Sequence, residues 1–303
     1  MGEMLVEIMR PEPEMPLGEA GTFLGPFPSG APAIFIDAAA RLGRPAAIIG
    51  GVGRDDFGRC LLDRLEADGV CCDYVLEVPD RFTAVAFVTY FRDGSRKFIY
   101  HIDDTPAVMP DWAGARGEKP AFFHVMGCSL MANEEFRLGI CAAVKHFHDR
   151  GARISFDPNI RPELLRGRDL NDVIGPVLER TSILFPGSEE LGFLSGREGE
   201  ADGAAVLFDR SPLEIVVVKK GARGSSVHTP ETSFDVPAFR IQEVDPTGAG
   251  DCFDAGFLCG LTEGRDLEAC ARVAAAVGAL DAQAFGPMEG EISPETVERL
   301  LIG

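Results

Sequence analysis

Short β-branched apolar runs that alternate with helical stretches restrict the fold of this chain more than any other feature. Ala46 to Gly51 (AAIIGG) reads as a buried strand, Phe122 to Met126 and Ile154 to Phe156 as two more, and Ile183 to Phe185 and Ile215 to Val218 follow, the last a run of pure aliphatics. Between them, Asp55 to Gly69 sets Phe57, Leu61 and Leu65 one helical turn apart and stops at a glycine. Asn133 is placed to cap a helix that runs to about Arg150 and ends at Gly151. Leu170 to Thr181 reads as a further helix, and beyond Asp251 the chain reads as helical almost to its end. Such alternation predicts a doubly wound α/β fold, a mainly parallel sheet with helices on both faces.

One stretch breaks the alternation. Thr83 to Tyr90 and Lys97 to His101 read as strands joined by Arg92-Asp93-Gly94-Ser95, and Asp-Gly between two β runs signals a hairpin. A hairpin has no place inside a doubly wound sheet, so it is expected to project as a small β flap. The segment from about Met9 to Phe27 carries Pro11, Pro13, Pro16 and Pro26, with Pro28 just beyond, and cannot be helical; it is expected to join the flap. With no internal repeat or low-complexity tract, residues 1–303 read as one domain with a lid formed by about 9–27 and 82–102.

The composition is globular, 46% apolar and 25% charged over 303 residues. The net charge of −19 argues against nucleic acid as a partner. No stretch reaches the length of a membrane span, and Met1 to Glu7 lacks the order of a signal peptide, so the chain reads as cytoplasmic. Its eight cysteines form no C-x-x-C pair and read as small buried hydrophobes.

The chemistry concentrates in Thr247-Gly248-Ala249-Gly250-Asp251, which opens an apolar helix. A glycine-rich turn at a helix start offers free N–H groups at the positive end of the dipole, an anion site that needs no basic side chain. Asp251 could there accept a proton from a hydroxyl held beside the anion. The competing reading makes Asp251 a helix cap, since an aspartate in the first turn is common and stabilising.

This string closely resembles the C-terminal signature of the ribokinase-like (PfkB) carbohydrate kinases. Pro28-Ser29-Gly30-Ala31-Pro32-Ala33, followed by Ala38 to Gly43, is similar to the family's sugar-binding glycine segment and its helix. Gly51-Val52-Gly53-Arg54-Asp55-Asp56-Phe57-Gly58 resembles its G-x-V-G-x-D-x-F-G stretch, and Asp157-Pro158-Asn159-Ile160-Arg161 its D-x-N-x-R strand end. Val218-Lys219-Lys220-Gly221-Ala222-Arg223-Gly224 resembles its nucleotide-side strand and turn. Gly25 to Asp37 is most similar to a bacterial branch that includes tagatose kinases.

The resemblance implies an ATP-dependent sugar kinase. Asp251 would be the base, and Gly248, Ala249 and Gly250 the anion hole for the transferred phosphoryl group. Glu7, Gly30, Ala31, Tyr100 and Arg161 would contact the sugar, and Lys219, Gly221, Gly224, Gly248 and Gly250 the nucleotide. Glu190 would organise Mg²⁺ through water, and Asp245 would hold a monovalent cation, K⁺ by preference. A homodimer would form through the lid.

Three departures stand out. Gly187 replaces the asparagine of the N-x-x-E motif, with Ser188 as a possible substitute; Glu7 stands where an aspartate is usual; and the run before Gly2-Glu3 is shorter than in such chains, as in a clipped first strand. Ile102 occupies the lid position where kinases of 2-keto-3-deoxygluconate often carry arginine. A neutral ketohexose of the tagatose or fructose type, phosphorylated on a primary hydroxyl, is therefore the expected substrate. 2-Keto-3-deoxygluconate is the alternative, and a sugar-binding protein of low turnover is the reading from a different class.

Overall fold

The structure is a computed structural model that describes residues 1–92 and 95–303. Its strands, in chain order, are β1 (Leu5–Met9), β2 (Leu24–Ser29), β3 (Ala46–Gly53), β4 (Val70–Val78), β5 (Ala84–Tyr90), β6 (Arg96–His101), β7 (Phe122–Met126), β8 (Arg153–Asp157), β9 (Thr181–Leu184), β10 (Ile215–Lys219), β11 (Ser225–His228) and β12 (Ser233–Val236). Among the described residues these form three sheets. The largest runs β12-β11-β10-β9-β8-β7, parallel from β7 to β10 and antiparallel at β11 and β12. Strands β3 and β4 pair parallel in a second sheet.

Helices cover both faces of the large sheet, as the alternation predicts, and β10 shows why its strands read as pure aliphatics. Ile215 and Val217 belong to the core shared with helices Ala31–Arg41, Ala249–Thr262 and Leu267–Asp281, whereas Val216 and Val218 belong to the core on the other face, with Glu134–Asp149, Leu170–Leu178 and Ser188–Ser195. Asn133 caps Glu134–Asp149 by accepting the Phe136 amide at 2.7 Å. Helix Leu170–Leu178 ends earlier than its apolar pattern suggests, because Thr181 already belongs to β9. The stretch after Gly69 received no assignment from the sequence; it is β4, whose neighbour β3 supplies its pairing.

The large sheet and the β3–β4 pair are not continuous. Met1 and Gly2 lie between them, the Met1 amino group donating to the His124 carbonyl at 3.3 Å and the Gly2 amide to the Ile49 carbonyl at 3.1 Å.

The hairpin is present as β5 and β6, paired antiparallel; its turn residues Asp93 and Gly94 lie outside the described residues. It belongs to a four-stranded sheet ordered β2-β1-β5-β6 that stands apart from the doubly wound layer. The proline-rich segment enters this small sheet through β2, antiparallel to β1. Strand β1 lies in it as well, parallel to β5, so the sheet reaches back to Leu5 and carries Glu7 on one of its inner strands. Asp55 ties the small sheet to the β3 end: it caps helix Asp56–Ala67 through the Gly58 amide at 2.8 Å and accepts the Thr83 amide and hydroxyl at 2.8 and 2.7 Å. The aspartate of the G-x-V-G-x-D stretch is thus explained by capping.

Candidate active site

The carboxyl end of β8, the start of helix Ala249–Thr262 and the inner face of the small sheet enclose a cavity of about 240 Å³. Glu3, Glu7, Gly30, Ala31, Arg96, Phe98, Tyr100, Cys128, Asp157, Asn159, Arg161, Gly187, Glu190, Lys219, Thr247, Gly248, Gly250 and Asp251 are among its lining residues. A crevice beyond the carboxyl ends of parallel strands is where open α/β sheets place their ligands.

Glycine is required where the anion loop turns. Gly248 has φ of 88°, and a Cβ there would lie 2.5 Å from the Pro287 carbonyl oxygen. It is the N-cap of helix Ala249–Thr262 and contributes no side chain, so the first turn stays open to a ligand. The Ala249 amide turns back to the Pro246 carbonyl at 3.3 Å, and Ala249 does not line the cavity. The amides of the next residues, Gly250 and Asp251, start the helix with no carbonyl below them, the condition for anion binding at a helix N-terminus.

Asp251 is buried in the first turn, and the hydrogen bond it makes is to Asn159, whose Nδ2 donates to Oδ1 at 3.3 Å. No amide of its own helix takes this carboxylate, in contrast to the capping arrangement. Asn159 is held by a tight turn after β8. Its φ is 37°, in the left-handed region that asparagine tolerates, and its amide donates to Asp157 Oδ1 at 3.0 Å.

Charge in this wall is balanced around Lys219. Its ammonium donates to Asp157 Oδ2 at 2.7 Å and to Asp254 Oδ2 at 3.1 Å. Burial alone would lower the pKa of Lys219, but Asp157 and Asp254 reverse that and hold it above its ordinary value. Burial, reinforced by Asp157, pushes Asp251 up to about 7, against the pull of Lys219 and Arg161. That is a pKa suited to a general base near neutral pH.

On the opposite wall, Glu7 Oε1 accepts the Ser29 hydroxyl at 2.6 Å, and its buried Oε2 is unpartnered among the described residues. Burial raises the pKa of Glu7. Alternate residues of β6 share a face, which brings Arg96, Phe98 and Tyr100 to the cavity together; the Phe98 and Tyr100 rings stack 5.2 Å apart. Ile102 lines the cavity as the apolar residue read from the sequence, and Arg96, six residues earlier, adds a cation to the lining that the reading of Ile102 alone left out.

The remaining site residues separate into two groups. Glu190 lines the cavity with each oxygen engaged by a backbone amide, Oε1 by Ile160 and Oε2 by Gly187, both at 2.7 Å. Asp245 lies buried behind the anion loop, where Oδ1 accepts the Thr247 amide and hydroxyl and Oδ2 the Gly286 amide. Gly221 and Gly224 are outside the cavity lining, and a Cβ on Gly224 would meet the Val236 carbonyl at 2.1 Å, a structural need for glycine. Lys220 pairs with Asp235 and Glu200 rather than entering the cavity. Sequence reasoning missed Arg96, Glu3, Asp254 and the role of Asn159; the alternation of β6 could have found the first, and Asn159 lay inside a motif read only for Arg161.

The model of the pfkB family carbohydrate kinases matches residues 9–294. The chain belongs to that family. It is 32% identical to fructokinase-1 of Oryza sativa subsp. japonica over 94% of this chain and 91% of the relative. It superposes on a structure described as a ribokinase II from E. coli in complex with ATP and Mg²⁺ with a TM-score of 0.92 and 37% identity, covering 99% of this chain and 97% of the other. A fructokinase from Vibrio cholerae O395, solved with fructose, ADP and calcium, superposes with a TM-score of 0.85 at 26% identity, covering 99% and 97%.

For this pfkB-family kinase, Asp251→Asn is expected to fold normally and lose about two to four orders of magnitude in kcat. Only the deprotonated carboxylate can take a proton, so kcat/KM of the unmodified enzyme is expected to fall as pH drops below about 7. A rate in Asp251→Asn equal to that of the parent, or a flat profile from pH 6 to 8, would remove Asp251 from the role of base.

Proposed function

We propose that this enzyme transfers the γ-phosphoryl group of ATP to a primary hydroxyl of a neutral ketohexose of the fructose or tagatose type. The observation that carries the proposal is Asp251, oriented by Asn159 at an open helix start and facing a cavity roofed by Glu7 and Tyr100. Asp251 takes the hydroxyl proton as that oxygen bonds to the γ-phosphorus. The bond from γ-phosphorus to the bridging oxygen breaks and ADP leaves. The first-turn amides and Lys219 meet the charge on the transferred group, where positioning counts for more than strong basicity. Gly221 and Gly224 shape the nucleotide-side turn. Gly30, Ala31 and Arg161 complete the sugar side, and the small sheet acts as a lid that excludes water.

The residues present fit both metal ions implied by relatives. Glu190 has lone pairs left after accepting two amides, which suits contact with Mg²⁺ through water, and a Cβ at Gly187 would meet only that carboxylate, at 3.3 Å. Mg²⁺ supplies charge neutralisation at the phosphate oxygens when bound. For a monovalent cation, Asp245 is joined behind the loop by Asp281, fully buried with both oxygens unpartnered among the described residues and Oδ2 only 3.0 Å from where a Gly248 Cβ would be. Burial pushes the Asp281 pKa up to about 8, so near neutral pH it holds its proton unless a counter-charge such as a bound cation favours the carboxylate. The melting temperature is expected to be higher in KCl than in choline chloride at equal ionic strength, and Asp281→Asn to abolish the difference; an undiminished difference in that variant would strike Asp281 from the cation site.

Arg96 and Arg161, both lining the cavity, favour a second reading, an acid sugar such as 2-keto-3-deoxygluconate, since a buried carboxylate needs a cationic partner. Under one set of conditions, kcat/KM for fructose and tagatose is expected to exceed that for 2-keto-3-deoxygluconate. A tenfold advantage for the acid sugar, about 1.4 kcal/mol of transition-state preference, would reverse the assignment. No turnover with any of the three would favour a sugar-binding protein.

The small sheet also exposes Leu24 and Ile99 to solvent, with Phe82 at the entry to β5. Pairing of two small sheets would cover them. Light scattering is expected to give the mass of a dimer, and Ile99→Lys a monomer; a monomeric parent protein would refute the lid interface.

A further inference from the structure

Tyr90 ends β5 on the small sheet, and its hydroxyl reaches across to the Thr247 hydroxyl, the residue immediately before the anion loop. Thr247 gives its own proton to Asp245 Oδ1, 2.7 Å away, so Tyr90 is the donor in the pair. Asp245 in turn accepts the Thr247 amide at 3.0 Å and, on its other oxygen, the Gly286 amide at 3.0 Å. Burial, with Asp245 nearby, raises the pKa of the Tyr90 phenol, which keeps it a neutral donor. Tyr90 is not among the residues lining the cavity. The same end of β5 is anchored to the proline-rich segment, since the Tyr90 carbonyl accepts the Glu14 amide at 2.8 Å and the Thr89 hydroxyl donates to the Met15 carbonyl at 2.7 Å.

This is a direct side-chain path between two walls with different tasks. One wall carries Glu7, Arg96 and Tyr100; the other carries Gly248, Gly250 and Asp251. We propose that Tyr90 is a positioning residue that ties the small sheet to the anion loop, so that a sugar held under the sheet and a nucleotide held at the loop strengthen each other's binding. The proposal rests on the sugar-kinase reading for its ligands, but not for its structural core. A group that orders the loop only when the sheet is seated over it gives each ligand a share in organising the other's site, and such coupling is reciprocal.

Tyr90→Phe keeps the ring and removes the donor. In the ligand-free protein, hydrogen exchange of the Ala249 and Cys252 amides, which are bonded to the Pro246 and Gly248 carbonyls across the loop, is expected to rise about five-fold, the equivalent of one ordinary hydrogen bond, while the start of helix Leu267–Asp281 is unchanged. Thr247→Val should produce the same rise, and the double variant no further one. By calorimetry, fructose is expected to tighten binding of the non-hydrolysable analogue AMP-PNP with MgCl₂ in the parent protein. In Tyr90→Phe that tightening should shrink about five-fold, with AMP-PNP affinity in the absence of sugar within about two-fold of the parent. A tether that only supports the fold would raise exchange everywhere and leave the sugar effect intact. Unchanged exchange at the loop in both single variants overturns the proposal. If fructose has no effect on either protein, the substrate reading fails, and the exchange measurement alone decides the role of Tyr90.

Discussion

The pairing of Lys219 with Asp157 and Asp254 is the interaction on which the site depends. It joins the end of β10, the end of β8 and the first turns of helix Ala249–Thr262, three elements that the chain reaches at widely separated positions. Asp254 is fully buried and lies three residues beyond Asp251, so the ion pair orients the helix whose start carries Asp251, the proposed base. Removing one partner of such a buried pair costs about 3–5 kcal/mol, because the charge left behind has no water to replace it. The same ammonium restrains the rise in the Asp251 pKa, which burial and Asp157 would otherwise carry further. Architecture and reactivity therefore share one interaction.

A chain of net charge −19 must bind an anion against its own field. Its solution is local. The helix start provides amides and a dipole, and Lys219, Arg161 and Arg96 all reach the cavity. Most of the acidic surface lies elsewhere, and at the separations involved salt screens it strongly. The acids that do line the cavity are restrained: Glu190 is taken up by two amides, and burial raises the pKa of Glu3 and Glu7, favouring their neutral forms.

The two layers divide the labour. The doubly wound layer is packed with aliphatics on both faces and presents its strand ends as a rigid platform. The small sheet supplies the other half of the cavity, tied down at one end by Asp55 to Thr83 and at the other by Tyr90 to Thr247. Both ties connect strand β5 to loops that carry recognisable motifs, so residues read as sequence signatures serve partly as fasteners.

Much of the fold was legible because its causes are local. A strand buried on both faces must be aliphatic, a helix over such a sheet must repeat every three to four residues, and Asn133, Asp55 and Gly69 mark ends through hydrogen bonds or turns made within a few residues. The glycine-rich helix start proposed to hold the anion was legible for the same reason, since its open amides are a property of one helix end. Strand β4 escaped because its pairing with β3, not its own pattern, makes it a strand. The cavity could not be assembled from local rules. Asn159 meets Asp251 across 92 positions, and Tyr90 meets Thr247 across 157. Arg96, exposed at the start of β6, borders the cavity only because β6 pairs with β5 in the small sheet. By itself the sequence determined most of the buried strands and helices and marked one helix start open to an anion; only tertiary packing decided which distant side chains share that place, because their contacts depend on the relative placement of whole sheets rather than on any neighbour in the chain.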